Sequence, residues 1–122
     1  MAAKINLHYR ELLKQDESLV VICILKGAII FFTDLIRCFD FRVEEDFIRL
    51  SSYHGGMAST HEVEFLTQLN HEKYKGKHLL VVEDIIDTGK TLYELMKKLN
   101  ACGPKSVEIA ALVRRPDKEQ AV

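Results

Sequence analysis

The sequence predicts an α/β fold in which helices flank a largely parallel sheet, and three observations support this. Strand-like and helix-like patterns alternate along most of the chain. The runs at 19–25 and 79–82 are wholly apolar, as expected for strands that are buried on both faces. Each run is followed by polar residues and then by a helical pattern. Folds of this class bind ligands at the carboxyl ends of the strands.

Local patterns justify the individual elements. The helical region after the first apolar run is rich in aromatic and aliphatic residues, and leucines recur at helical spacing from Leu92 to Leu99. Gly103-Pro104 ends that second helix. Residues 61–66 alternate between polar and apolar, which is typical of a short strand. In chain order we predict a helix at 4–14, a strand at 19–25, a helix at 27–38, strands at 43–52, 61–67 and 78–84, a helix at 89–101 and a strand at 106–113.

Composition indicates one intracellular domain spanning residues 1–122, with 48% hydrophobic and 29% charged residues. No stretch approaches the 18 apolar residues that a membrane span needs, and the amino terminus lacks a secretory signal, so we expect a cytoplasmic protein. Cys23, Cys38 and Cys102 are scattered, which favours reduced, buried thiols. The five histidines show no zinc spacing and are expected at the surface or in local hydrogen bonds.

The most informative stretch is 79–91, which reads Leu-Leu-Val-Val-Glu-Asp-Ile-Ile-Asp-Thr-Gly-Lys-Thr. Its turn lies between a strand and the first turn of a helix, where unpaired backbone N–H groups and the helix dipole favour a phosphate. A nucleotide P-loop would need glycine where Asp84 stands, and a carboxylate there would repel the phosphates. Two acids beside a monophosphate pocket suit ribose hydroxyls better. The simpler alternative is an N-cap at Asp87 or Thr88 after a solvated strand end.

A second segment supports a phosphate site, because the buried strand at 19–25 ends in Lys26-Gly27. A cation and an unobstructed backbone at the end of such a strand suit a diphosphate. The alternative is a lysine that reaches solvent, followed by a glycine that begins a helix.

A third segment, from Asp46 to Tyr53, leads into a loop with Gly55-Gly56 and then into the short alternating strand. The glycines indicate a mobile loop, although an ordinary hairpin explains the local pattern equally well.

These motifs closely resemble those of purine phosphoribosyltransferases of the hypoxanthine-guanine type, whose signature for phosphoribosyl diphosphate (PRPP) is a strand, Glu-Asp-x-x-Asp-Thr-Gly-Lys-Thr and a helix. The resemblance implies a type I phosphoribosyltransferase core. It implies that acids hold the ribose, that the third acid accepts a purine proton, and that the turn holds the 5′-phosphate. It also implies a Leu-Lys-Gly pyrophosphate loop with a cis peptide at Leu25–Lys26, and a closing loop that carries a Ser-Tyr pair. Matched by position, the residues are Glu83 and Asp84 for ribose, Asp87 as the catalytic acceptor, Thr88, Gly89, Lys90 and Thr91 for phosphate, Lys26 and Gly27 for pyrophosphate, and Ser52 and Tyr53 for the closing loop.

The implied reaction transfers the phosphoribosyl group from PRPP to hypoxanthine or guanine, with Mg²⁺ neutralising the diphosphate near Glu83 and Asp84. The family places a lysine against the 6-oxo group of the purine, and here Arg114 or Arg115 comes nearest, with Arg114 preferred. Arginine differs from lysine in reach and geometry, so the contact with the base departs from the family's pattern at this position. The resemblance also implies a homo-oligomer, a dimer or tetramer, and apolar Ile29, Ile30 and Phe32 are candidates for its interface if they are not core.

The resemblance covers nearly all of this chain but only the central part of the family's domain, so we expect a fragment or a shortened member. The family's later segment, with the aromatic residue that stacks on the base, has no counterpart here. Two alternatives therefore stay open: a catalytically incomplete regulator that binds nucleotide or RNA, and a structural partner subunit. A formal net charge of −1 argues against nucleic acid as a partner.

Overall fold

The computed structural model describes residues 1–25, 27–52, 63–65, 69–86 and 90–114. Helices and strands alternate, as the sequence predicted, with one additional short helix before β4. In chain order the elements are α1 (Ala2–Leu12), β1 (Leu19–Leu25), α2 (Ile29–Ile36), β2 (Val43–Ser52), β3 (Val63–Phe65), α3 (His71–Tyr74), β4 (His78–Ile86), α4 (Lys90–Asn100) and β5 (Ser106–Arg114).

The strands form one five-stranded sheet in the order β3-β2-β1-β4-β5. The pairs β1–β2, β1–β4 and β4–β5 are parallel. Only the short β3 runs antiparallel to its neighbour β2 among the described strands. The predicted fold class, a largely parallel sheet flanked by helices, is therefore confirmed.

Two apolar layers cover the sheet, one on each face. Successive side chains of a strand point to opposite faces, so alternate residues of β1 enter different layers. Val20 and Ile22 pack beneath α4 and α3, with Leu95 and Tyr74. The opposite layer, beneath α1 and α2, contains residues such as Val21. Because all of β1 up to Ile24 is buried, its continuous apolar sequence is explained by two-sided packing.

Most predicted bounds are close to those observed. Strands 19–25 and 43–52 agree with the structure, and the helix predicted at 4–14 lies two residues earlier. The helix predicted at 27–38 is shorter, because Gly27 and Ala28 precede it and it ends at Ile36. The strand predicted at 78–84 continues to Ile86, and the strand predicted at 61–67 is described only at 63–65.

One prediction about an individual side chain was wrong, and one alternative that the sequence left open is resolved. Cys38 is exposed, whereas Cys23 and Cys102 are buried as expected. Phe32 belongs to the core, where it lies against Phe47 with ring centroids 5.4 Å apart. Ile29 and Ile30 are 45% and 74% exposed, so only these two of the three candidate interface residues are available at the surface.

Two of the described histidines make side-chain hydrogen bonds to residues of β5. His8 contacts Glu108, and buried His78 contacts Ser106. Within the described ranges, no group of three or more His, Cys, Asp or Glu side chains is arranged to hold a metal ion. None of the described helices is long and apolar enough to cross a bilayer.

Candidate active site

The candidate site lies where the two central strands separate. Pairing between β1 and β4 runs from Leu19–His78 to Cys23–Val82. Each strand then continues against its outer neighbour, β1 with β2 to Leu25 and β4 with β5 to Ile86. After β1 the chain passes through α2 to β2 on one side, and after β4 it passes through α4 to β5 on the other. A reversal of this kind opens a crevice at the carboxyl ends of the strands, which is the usual ligand position in such sheets.

Two of the predicted segments meet in this crevice. Asp84 and Gly27, which are 57 positions apart in the sequence, lie so close that a Cβ atom on Gly27 would be 2.8 Å from the Asp84 Oδ2 atom. The same Cβ would be 3.2 Å from both Cγ and Oδ1 of that carboxylate. The structure therefore joins the predicted pyrophosphate segment to one of the two acids predicted to hold the ribose.

The neighbouring acid, Glu83, is held differently. Its Oε1 atom accepts a hydrogen bond of 2.9 Å from the backbone N–H of Asp84. Burial, with a smaller contribution from the adjacent Asp84 side chain, raises the pKa of Glu83 to about 7 against the lowering effect of the backbone N–H. Glu83 therefore exchanges its proton near neutral pH, where a ligand that favours the ionised form can remove it.

The predicted phosphate turn leads into α4. Lys90 is the first residue of this helix and Thr91, the second, is half-buried. The first turn of α4 contains no acidic residue, and the positive end of the helix dipole at this turn favours an anion. Thr88 and Gly89 lie outside the described residues, as does the side chain of Lys90.

The remaining predicted residues are described only in part. Ser52 ends β2 and Arg114 ends β5, where it pairs with Ile86 of β4. Both backbones thus reach the carboxyl edge of the sheet, although their side chains are not among those described. Asp87, Lys26 and Tyr53 lie outside the described residues. The predicted cis peptide between Leu25 and Lys26 therefore stays a prediction.

Sequence reasoning missed the direct contact between the two predicted segments. It treated Gly27 as open backbone for a diphosphate, whereas the structure brings the Asp84 carboxylate against it. The register of β1 and β4 was the information required, and no local pattern contains it.

Comparison with known proteins gives one consistent result. The family model described as a phosphoribosyl transferase domain matches residues 1–122. A hypoxanthine phosphoribosyltransferase of Haemophilus influenzae is 39% identical over 98% of this chain and 65% of its own length. A hypoxanthine-guanine-xanthine phosphoribosyltransferase of Tritrichomonas foetus is 43% identical over 80% of this chain and 52% of its own.

Solved structures agree with the sequence comparison. A hypoxanthine phosphoribosyltransferase of Staphylococcus aureus superposes with a TM-score of 0.84 at 36% identity, over 99% of this chain and 62% of that one. The Trypanosoma cruzi hypoxanthine phosphoribosyl transferase gives 0.85 at 33% identity, over 99% and 64%. The chain thus spans less than two thirds of the length of these relatives. With the family model matched throughout and the fold shared, the chain belongs to the phosphoribosyl transferase family.

Proposed function

We propose that this chain forms the PRPP-binding core of a purine-salvage phosphoribosyltransferase, a glycosyltransferase that acts on hypoxanthine or guanine. Its products would be IMP or GMP and pyrophosphate. The observation that carries the proposal is the approach of Gly27 to Asp84 at the point where β1 and β4 separate. The names of the relatives, which specify hypoxanthine alone or with guanine and xanthine, support a 6-oxopurine as the acceptor.

The reaction exchanges one bond at C1′ of the ribose. The bond from C1′ to the diphosphate oxygen breaks, and its electron pair leaves with the oxygen. A purine nitrogen donates its own pair to C1′, and the purine loses its proton to a base. Positive charge develops on the ribose ring meanwhile, so carboxylates beside the ring lower the barrier.

We assign the steps to residues as follows. Glu83 and Asp84 accept hydrogen bonds from the ribose hydroxyls and lie near the developing charge. Asp87 accepts the purine proton, a role worth about 10²–10⁴-fold in rate for a positioned general base. Thr88 to Thr91 hold the 5′-phosphate at the start of α4. Lys26 and Gly27 hold the pyrophosphate, and Ser52 and Tyr53 belong to a loop that excludes water.

Magnesium fits the donor set of this site. Glu83 and Asp84 supply carboxylate oxygens, the hard ligands that Mg²⁺ prefers. The described residues include no ready-made cage of three or more ligands, so a bound ion would take most of its ligands from substrate and water. Such an ion would neutralise charge on the leaving diphosphate.

The acceptor base would lie against Arg114, at the carboxyl end of β5. A guanidinium donates hydrogen bonds to a 6-oxo group, whereas the 6-amino group of adenine offers no comparable acceptor. We further propose a single domain, a cytoplasmic location and a homo-oligomer. The relative from Trypanosoma cruzi is described by the role of its C-terminal region in oligomeric state and enzymatic activity.

The test is an assay of this chain with Mg²⁺, PRPP and, in parallel, hypoxanthine, guanine, xanthine and adenine. We expect nucleotide from the 6-oxopurines and none from adenine.

Asp87→Asn should lower turnover by about 10²-fold or more with little change in PRPP affinity, and Lys26→Ala should weaken pyrophosphate binding. Asp84→Asn should weaken PRPP binding. No product together with intact PRPP binding would favour the alternative of a catalytically incomplete regulatory module.

A further inference from the structure

The residue at position 27 is a glycine for reasons of space. In the described part of the chain, only Gly76 and Gly103 have a positive φ, so the backbone of Gly27 adopts a conformation open to other residues. Gly27 is also exposed. The three atoms that lie nearest to an added Cβ all belong to the Asp84 carboxylate, at 2.8 to 3.2 Å. Contacts shorter than 3.0 Å are not tolerated by real Cβ atoms, so an alanine would force a movement.

The backbones on both sides of this contact are anchored. Ala28, next to Gly27, is fully buried, and its carbonyl accepts a 2.8 Å hydrogen bond from Phe32 N–H at the start of α2. Asp84 lies within β4, and its backbone N–H donates to Glu83. Because neither backbone yields easily, the Asp84 side chain must absorb the displacement. A change at Gly27 therefore acts on the position of a carboxylate carried by another strand.

We infer that Gly27 is a positioning residue for Asp84: the missing side chain lets the Asp84 carboxylate rest against the pyrophosphate loop, so the two subsites respond to each other. This inference rests on the proposed function for the identity of the ligands. The contact itself belongs to the protein without any ligand. By linkage, a ligand that moves the pyrophosphate loop also changes the position of the Asp84 carboxylate. A ligand that holds this carboxylate changes the position of the loop in turn.

A double-mutant cycle tests the inference with Gly27→Ala, Asp84→Ala and the double variant. Replacing glycine by alanine also lowers the conformational entropy of the unfolded chain, but this effect is the same in both backgrounds and cancels in the cycle. Two quantities are measured: the urea midpoint of unfolding without ligand, and the affinity for pyrophosphate in a buffer containing Mg²⁺. A loss of packing alone would lower the midpoint and leave the affinity of the folded protein unchanged. Asp34→Ala, at an exposed position of α2, is the matched control.

We expect Gly27→Ala to lower pyrophosphate affinity by about tenfold in the wild-type background and by less than about twofold in the Asp84→Ala background. The urea midpoint should fall in the first background and be largely retained in the second, whereas Asp34→Ala should leave both quantities largely unchanged. Equal effects of Gly27→Ala in both backgrounds, in both measurements, would overturn the inference. If the wild-type chain binds no pyrophosphate while the unfolding cycle still shows coupling, the proposed function fails and the steric pairing of Gly27 with Asp84 stands.

Discussion

Glu83 and Asp84 are adjacent acids with different environments. Successive side chains of β4 alternate between faces, which places Asp84 on the side of α2 with Val82 and Glu83 on the side of α4 with Val81. Asp84 lies against the backbone at Gly27. Glu83 is half-buried and accepts a hydrogen bond from the backbone N–H of its neighbour. The two acids of the motif therefore reach the crevice from opposite faces of the sheet.

This difference predicts a pH dependence of stability that comes from Glu83. Its pKa is about 7 in the folded protein and about 4.3 in an unfolded chain, so between these values the folded state binds more protons. The free energy of unfolding should therefore fall as pH rises from about 4.5 to 7 and then level off. After discounting for partial exposure to solvent, we expect a contribution of about 1–2 kcal/mol.

Urea unfolding at a series of pH values, with Glu83→Gln as the comparison, measures this contribution. The variant cannot titrate at this position, so its stability should change less across the interval. Parallel curves of stability against pH for the two proteins would show that Glu83 is ionised across this interval in the folded protein. That result would contradict the argument that burial raises its pKa.

At the residue scale, the sequence was sufficient to nominate the side chains that we assign to chemistry but not to show how they are held. Glu-Asp followed by Asp-Thr-Gly-Lys-Thr is a dense local signal, and the motif alone pointed to Glu83 and Asp84. The proton affinity of Glu83 and the approach of Asp84 to Gly27 depend on strand register and burial. These are properties of the folded sheet, so no local pattern contains them.

The four-residue helix α3 is the element that the sequence did not predict. Its buried Tyr74 donates a 2.5 Å hydrogen bond to Asp46 Oδ2 on β2, and Lys73 Nζ donates to the backbone carbonyl of Glu45. Asn70 caps the helix by accepting from the N–H of Lys73. Together these contacts hold the segment that precedes β4 against β2, the strand that leads to the predicted closing loop.

We predict that Tyr74→Phe destabilises the protein by about 1–3 kcal/mol, because the half-buried Asp46 carboxylate loses a donor while the ring keeps its packing. Tyr93→Phe is the control, since Tyr93 is 47% exposed on α4, and it should cost less than about 0.5 kcal/mol. Urea unfolding of the two variants gives the comparison. Equal, small effects would mean that the bond to Asp46 adds nothing beyond solvation of the two groups.

At the scale of elements, predictability depends on length and burial. The apolar run of β1 and the ten-residue β2 gave the correct bounds. A helix of four residues makes little more than one turn and is too short to show a period, so α3 was missed. The bounds of α2 were overestimated because the apolar pattern continues through Gly27 and Ala28, where the chain is still turning out of the crevice.

The whole molecule is organised around two strands. β1 and β4 supply buried side chains to both apolar layers, so the two layers share the backbones of these strands. The crevice opens between the same two strands. The fold class was predictable because alternating strands and helices permit few arrangements, whereas the strand order, which brings Gly27 to Asp84, is a property of the assembled sheet.

This shared construction predicts that the two layers unfold together, as expected if residues 1–122 form one domain. Leu95→Ala removes a buried side chain that α4 contributes to one layer, and Leu35→Ala removes one that α2 contributes to the other. Each should cost about 2–5 kcal/mol. Because β1 and β4 belong to both layers, either variant should lower the urea midpoint of the entire transition.

Circular dichroism in the far ultraviolet and intrinsic tyrosine fluorescence, recorded on the same samples, provide the measurement. Tyr9 lies in one layer and Tyr74 in the other, so the fluorescence reports on both. We expect one transition, with coincident midpoints from the two signals, in the wild-type chain and in each variant. A variant that splits the transition, leaving one layer folded while the other melts, would show that the layers are separate cooperative units and would contradict the single domain. Coincident shifts would instead mean that the two layers unfold as one cooperative unit, because β1 and β4 contribute side chains to both.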